Sequence, residues 1–285
     1  MFLHRNAIIS VNSMFKPSII VNIALFVYFP IFLVLLKLHS FKLAKTWFVP
    51  LFALYFGVLF ATLFAIFLNG NDSTFSSQDT FLSVALDLIN PKNRRGKVLF
   101  GGYFGAIFGI GVANLLSRQK SLPAFLDISA ISISFLFFVW RIGCFAGGCC
   151  YGEPNDTLGV SFSRKTTAFA HLKNTALVVN KATVPLLPTQ LFSAAGDLII
   201  FLFLLILFCK NKIKLPYFYF FAHAFLYGIG RFTIEFFRID PREFWGPLSM
   251  SQWISLVLIA ASLVFFIKNR KEIAESFKNK ASHIR

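Results

Sequence analysis

Apolar residues run along this chain in seven stretches, at 18–36, 47–68, 98–116, 122–145, 190–209, 217–237 and 250–267, separated by polar or basic segments. A bilayer core of about 30 Å needs about 20 helical residues to cross it. Backbone groups in lipid must be bonded within their own segment, so runs of this length predict helices. The pattern reads as an all-α integral membrane protein with about seven transmembrane helices, one polytopic domain over residues 1–285.

Two polar segments are long enough to carry structure of their own. The first, about 70–97, opens on the turn-rich Asn69-Gly70-Asn71-Asp72. The second, about 147–189, includes Thr157-Leu158-Gly159-Val160-Ser161-Phe162, whose alternation predicts a short strand. Both are expected on the outer side, covering a membrane cavity. The first 15 residues are mixed in character and the apolar run after Pro17 is long enough to span, so no cleavable leader is expected.

Composition narrows the class. Of 285 residues, 56% are hydrophobic and only 14% charged, which excludes an ordinary soluble domain. The net charge of +16 would suit nucleic acid, but the basic residues lie between apolar runs and in the tail and form no single face. They are read as juxtamembrane charges attracted to anionic head groups, and no nucleic acid partner is expected. With an odd span count, Lys37, Lys42 and Lys45 share a side with Lys210, Lys212 and Lys214 and with the tail from Lys268 to Arg285. The C-terminus is then expected in the cytoplasm and the N-terminus outside. Lys92, Arg94, Arg95 and Lys97 fall on the outer side and weaken that bias.

Charge inside an apolar span is expensive and faces a cavity or a partner. Asp127 and Arg141 lie in the fourth run, and Arg231, Glu235 and Arg238 in or beside the sixth. Tyr227, Arg231 and Glu235 are spaced i, i+4, i+8 and share a helix face. Two readings stand: a self-neutralising Arg231–Glu235 pair, or an anion pocket in which Glu235 orients Arg231 and Arg141 adds a second guanidinium. Gly101, Gly102, Gly105 and Gly109 suit either close helix approach or substrate access. Cys144, Cys149 and Cys150 cluster in sequence and leave a disulfide, buried thiols or reactive thiol chemistry open. A zinc site would need a fourth ligand that the local sequence does not supply.

Five segments together resemble the bacterial prolipoprotein diacylglyceryl transferase family. They are Phe100-Gly101-Gly102-Tyr103-Phe104-Gly105, Arg141-Ile142-Gly143-Cys144-Phe145-Ala146-Gly147-Gly148, Pro188-Thr189-Gln190-Leu191-Phe192, the Tyr227-Gly228-x-x-Arg231-Phe232-x-x-Glu235-Phe236-x-Arg238 run, and Leu248-Ser249-Met250-Ser251-Gln252. Asp127, fourteen residues before Arg141, also fits, and the resemblance covers about 98–267. It implies helices around a lipid-accessible cavity in the bacterial cytoplasmic (inner) membrane. The implied reaction moves the diacylglyceryl group of phosphatidylglycerol to the lipobox cysteine thiol of a prolipoprotein. Carried over, Arg141, Arg231 and Glu235 are the catalytic residues, and Tyr227, Gln190, Arg238, Gly101, Gly102 and Gly143 line the substrate site. Neither metal nor cofactor is implied.

The chain also departs from that family. Phe100 stands where the family has a histidine, and Cys144 and Cys149 where its signature has Asn and Glu. The N-terminal third offers no match to the family's early tyrosine motif. Phenylalanine accepts no proton, so a general base must be found elsewhere. His223, eight residues before Arg231, is either that base or a satisfied intramembrane histidine, and His171 is expected in a solvated loop. The alternatives to the transferase are a same-fold enzyme that uses the Cys cluster with another acceptor, and a non-catalytic phospholipid-binding or transport protein.

Overall fold

A computed structural model describes residues 10–11, 17–68, 99–117, 121–210, 213–242 and 244–278. The expected outer loop at 70–97 and its Asn-Gly turn lie outside them. Each apolar run is a helix: α1 (Pro17–Leu38), α3 (Val49–Leu68) after the short α2 (Leu43–Thr46), α4 (Leu99–Leu116), α5 (Leu122–Gly147), α7 (Thr189–Cys209), α8 (Phe218–Ile234) and α9 (Met250–Lys268). Between them lie the short α6 (Thr167–Leu172) and, at the C-terminal end, α10 (Arg270–Lys278).

Among the described residues, four segments are long and apolar enough to cross a membrane: Leu43–Phe64, Leu122–Gly147, Thr189–Cys209 and Met250–Lys268. Large apolar side chains stay exposed along the helices, Phe26, Leu115, Ile199 and Val257 among them. That coat has no place in water and suits lipid.

The chain forms two compact units. One contains residues 27–68, 99–117, 121–132 and 213–221, together with 271–278. Its main contact is α3 on α4, and glycine makes it possible. A Cβ on Gly101 would lie 2.6 Å from the Phe60 carbonyl oxygen, and one on Gly105 or Gly109 would strike the carbonyls of Phe56 and Phe52. These three positions, four apart, form a smooth stripe on which the α3 backbone rests. In the same unit Asp127 reaches the start of α8. Its Oδ2 accepts from Tyr217 N at 3.0 Å and its Oδ1 from Phe220 N at 2.9 Å. A buried carboxylate thus satisfies donors that a helix start leaves orphaned. Tyr28 and Ser129 share a hydrogen bond of 3.1 Å nearby.

The other unit holds residues 133–210 and 222–270, with 10–11 and 17–26. After α5 the chain leaves the helices and folds over a small apolar core of Tyr151, Phe162, Ala168, Leu172 and Leu186. The expected strand at 157–162 shrinks to β2 (Ser161–Phe162), which pairs in parallel with β1 (Ser10–Val11). Both β2 residues are buried, so the alternation read from sequence is not that of a half-buried strand. A hairpin of β3 (Val178–Val179) and β4 (Ala182–Thr183) turns through Asn180 and Lys181, both at positive φ. β5 (Phe244–Trp245) and β6 (Leu248–Ser249) form a second hairpin leading into α9. There Ser249 and Gln252 close a capping box.

Candidate active site

The candidate site lies within the second of these units. At its base, α5 ends in a Schellman turn: Gly148 N bonds Phe145 O and Cys149 N bonds Cys144 O, both at 3.1 Å, with Gly148 at φ +67°. The turn folds Cys149 back over Cys144, and Cys150, itself at φ +59°, brings the third sulfur inward. Residues of α7 grip this segment. Thr189 donates its hydroxyl to Cys150 O at 2.5 Å, and Gln190 donates its amide to Cys149 O at 2.6 Å. The Pro-Thr-Gln motif therefore begins a helix and holds the cysteine turn at the same time.

Beyond the turn the chain pairs with the end of the sixth apolar run. Glu153 N donates to Phe237 O at 3.0 Å and Ile239 N to Tyr151 O at 3.3 Å, while Gly152 bridges to Arg238. A Cβ on Gly152 would lie 2.7 Å from Phe237 O, so the approach needs glycine.

Glu235 is the hub of the charges. It is buried in the 3-10 turn Glu235–Phe237 that ends α8. Its Oε2 lies 2.5 Å from Arg231 Nη1 and 3.2 Å from Arg238 Nη1. Its Oε1 accepts the Ser249 hydroxyl at 3.0 Å and lies 3.5 Å from Arg242 Nε. Arg231 is held again by Ser251 Oγ, 2.9 Å from its Nη2. Arg238 forks onto Asp240, with Nε on Oδ1 at 2.9 Å and Nη2 on Oδ2 at 2.7 Å. The capping-box serine of α9 thus has two tasks, starting the helix and fixing the carboxylate.

Arg141 is different. It is buried near the end of α5, and its Nε has no hydrogen-bond partner among the described residues. Its charge and that of Arg231 both act on Tyr227 and on Asp197, a buried residue of α7. One Asp197 oxygen, Oδ2, likewise has no hydrogen-bond partner among the described residues. Among the described residues, four arginines (141, 231, 238 and 242) gather with three carboxylates (197, 235 and 240).

The residues singled out from sequence divide by place. Arg141, Gly143, Gln190, Tyr227, Arg231, Glu235, Arg238 and the three cysteines fall in this unit. Gly101 and Gly102 fall in the other, on the helix that packs against α3. His223 is fully buried and stacks on Tyr227, rings 7° from parallel at 5.6 Å. All four cysteines are unbridged. Cys149 donates its thiol to Cys144 O at 3.6 Å, and the neighbouring Cys144 and Cys149 thiols, with Arg238 and Arg141, hold the Cys150 thiol well below the usual value. Asp197 escaped the sequence reading. It is a lone acid in an apolar run, the same signal that drew attention to Asp127.

This fold and charge pattern define a helical membrane protein with a buried cluster of arginines and carboxylates. The family model for prolipoprotein diacylglyceryl transferase matches residues 18–268, so the chain belongs to that family. The match takes in the N-terminal third, where no motif is legible by eye. Among curated relatives, phosphatidylglycerol–prolipoprotein diacylglyceryl transferase 2 of Clostridium perfringens is 34% identical over 185 residues, 63% of this chain and 66% of the relative. The enzyme of Clostridium tetani is 32% identical over 167 residues, 57% of this chain and 61% of the relative. That of Prochlorococcus marinus is 28% identical over 197 residues, 65% and 63%. The aligned part of the chain thus spans just under two thirds of the length of these relatives.

Proposed function

We propose that this protein transfers the diacylglyceryl group of phosphatidylglycerol to a cysteine thiol in the lipobox of a prolipoprotein. The acceptor sulfur attacks the glycerol carbon next to the phosphate, and a carbon–sulfur bond forms as the carbon–oxygen bond breaks. The electron pair leaves on the phosphate oxygen, and glycerol phosphate is released. The thiol proton passes to water.

In this reading Arg141 and Arg231 bind the phosphate and stabilise the charge that grows on it. Glu235 and Ser251 hold Arg231 in position, so no freedom is lost when substrate arrives. Tyr227 faces the head group, Gln190 and Gly143 shape the wall, and Arg238 supports the edge through Asp240. Gly101 and Gly102 would contribute by letting α4 approach α3. The observation that carries the proposal is the buried pair of arginines from different helices: Glu235 and Ser251 fix Arg231, while the Nε of Arg141 has no hydrogen-bond partner among the described residues.

All seven apolar helices cross the cytoplasmic membrane of a bacterium in this reading, with the N-terminus outside and the cavity open to lipid. The test is complementation. The chain is expressed in bacteria depleted of their own diacylglyceryl transferase, with membrane insertion confirmed, and a lipoprotein is weighed by mass spectrometry. A diacylglyceryl mass gain that Arg231→Ala abolishes supports the reading. Unmodified lipoprotein alongside correctly inserted protein refutes it.

A further inference from the structure

The sulfur atoms of Cys144, Cys149 and Cys150 all lie within 4.8 Å of one another. The Schellman turn, the positive φ of Cys150 and the grip of Thr189 and Gln190 on two successive carbonyls build this cluster. All three cysteines are unbridged and only partly buried, so a ligand can reach them. Sulfurs bound to zinc at about 2.3 Å sit about 3.8 Å apart in a tetrahedron, so closing the cluster takes only small side-chain rotations. An all-sulfur donor set disfavours magnesium and calcium and selects thiophilic ions. Zinc with three protein ligands keeps a fourth position for an exchangeable group.

We propose that Cys144, Cys149 and Cys150 bind one Zn²⁺ as thiolates and that its open fourth position takes the acceptor thiol. The second half rests on the transferase reading above. A thiol bound to zinc gives up its proton to water and is held as thiolate. It then attacks the glycerol carbon: the sulfur–carbon bond forms, and the carbon–oxygen bond breaks with its pair going to the phosphate oxygen. Nothing is oxidised or reduced. Zinc with four thiolates carries a charge of −2, and the Arg141 charge, which already acts on Cys150, offsets part of it. The ion would supply the activation that Phe100 cannot, and its fourth ligand comes from the substrate.

The test uses the full chain, reduced and purified in detergent. After equilibration with Zn²⁺ and dialysis, one zinc per chain is expected in wild type and in Cys209→Ser, and none in Cys144→Ser/Cys149→Ser. Because that double variant can fail to fold, alkylation of the wild type provides a second measurement. Four cysteines should react without metal and one, Cys209, with zinc bound. Co²⁺ in place of zinc should give thiolate charge-transfer bands that change when a small thiol peptide is added without phospholipid. No retained zinc, or no protection of the three thiols, overturns the site. A cobalt spectrum indifferent to thiol overturns the open position. If cobalt takes the thiol but no lipid transfer follows with full substrates, the site stands and the transferase reading falls.

Discussion

Glu235 and Arg231, one helical turn apart, meet at 2.5 Å with side chains only 2% and 9% exposed. That buried pair is also shared, since Arg238 and Arg242 lean on the same carboxylate. Removing it would strand several guanidinium groups in a low-dielectric site, where lone charges are costly. Glu235→Gln is therefore expected to destabilise the protein by about 3–5 kcal/mol. A thermal unfolding scan in detergent checks this, and an unchanged Tm would show that the arginines find other anions.

Much of this arrangement was legible in the sequence because its causes are local. A run of about twenty apolar residues must become a helix in lipid, and the helix bounds follow the runs closely: 122–145 became Leu122–Gly147 and 190–209 became Thr189–Cys209. The i, i+4 spacing of Arg231 and Glu235 foretold their contact. What stayed hidden depends on distant partners. Nothing near Asp127 announces that it caps a helix ninety residues away, and nothing near Ser249 announces that it bonds Glu235. The Cys cluster is intermediate. The Gly147-Gly148 pair signals a helix end, but the convergence of the sulfurs needs the grip of α7 on the following carbonyls.

Arg141 and Arg231 separate by what already holds them. Arg231 is fixed by Glu235 and Ser251, whereas Arg141 keeps an unbonded Nε among the described residues. A lysine at 141 keeps the charge but loses the planar fork that binds phosphate through two bonds. Arg141→Lys is expected to slow lipid transfer about 10²-fold with little change in Tm. Initial rates with phosphatidylglycerol in micelles, set beside a melting curve, read both quantities. A matching fall in Tm would make the residue structural.

Asp127 is expected to act on stability. Its two oxygens take Tyr217 N and Phe220 N at the start of α8. Asp127→Ala orphans those donors and should cost about 1–2 kcal/mol, while Asp127→Asn retains an accepting oxygen and should cost less. Melting temperatures of the pair decide it. Equal losses would mean that the negative charge, and not the hydrogen bonds, does the capping.

The glycine stripe of α4 admits a paired test, because two glycines six residues apart meet opposite surroundings. A Cβ at Gly105 would run into the Phe56 carbonyl and lie 2.6 Å from Phe60 Cβ, whereas one at Gly111 meets nothing within 4 Å. Alanine favours a helix over glycine by about 1 kcal/mol, so Gly111→Ala should be neutral or stabilising. At Gly105 the same gain is outweighed, since backbone atoms of α3 cannot turn aside as a flexible side chain can. Gly105→Ala is thus expected to lower Tm, and Gly105→Leu to lower it further. A Gly105→Ala variant as stable as Gly111→Ala would show that α3 and α4 separate freely, and the close approach would then contribute nothing to the fold.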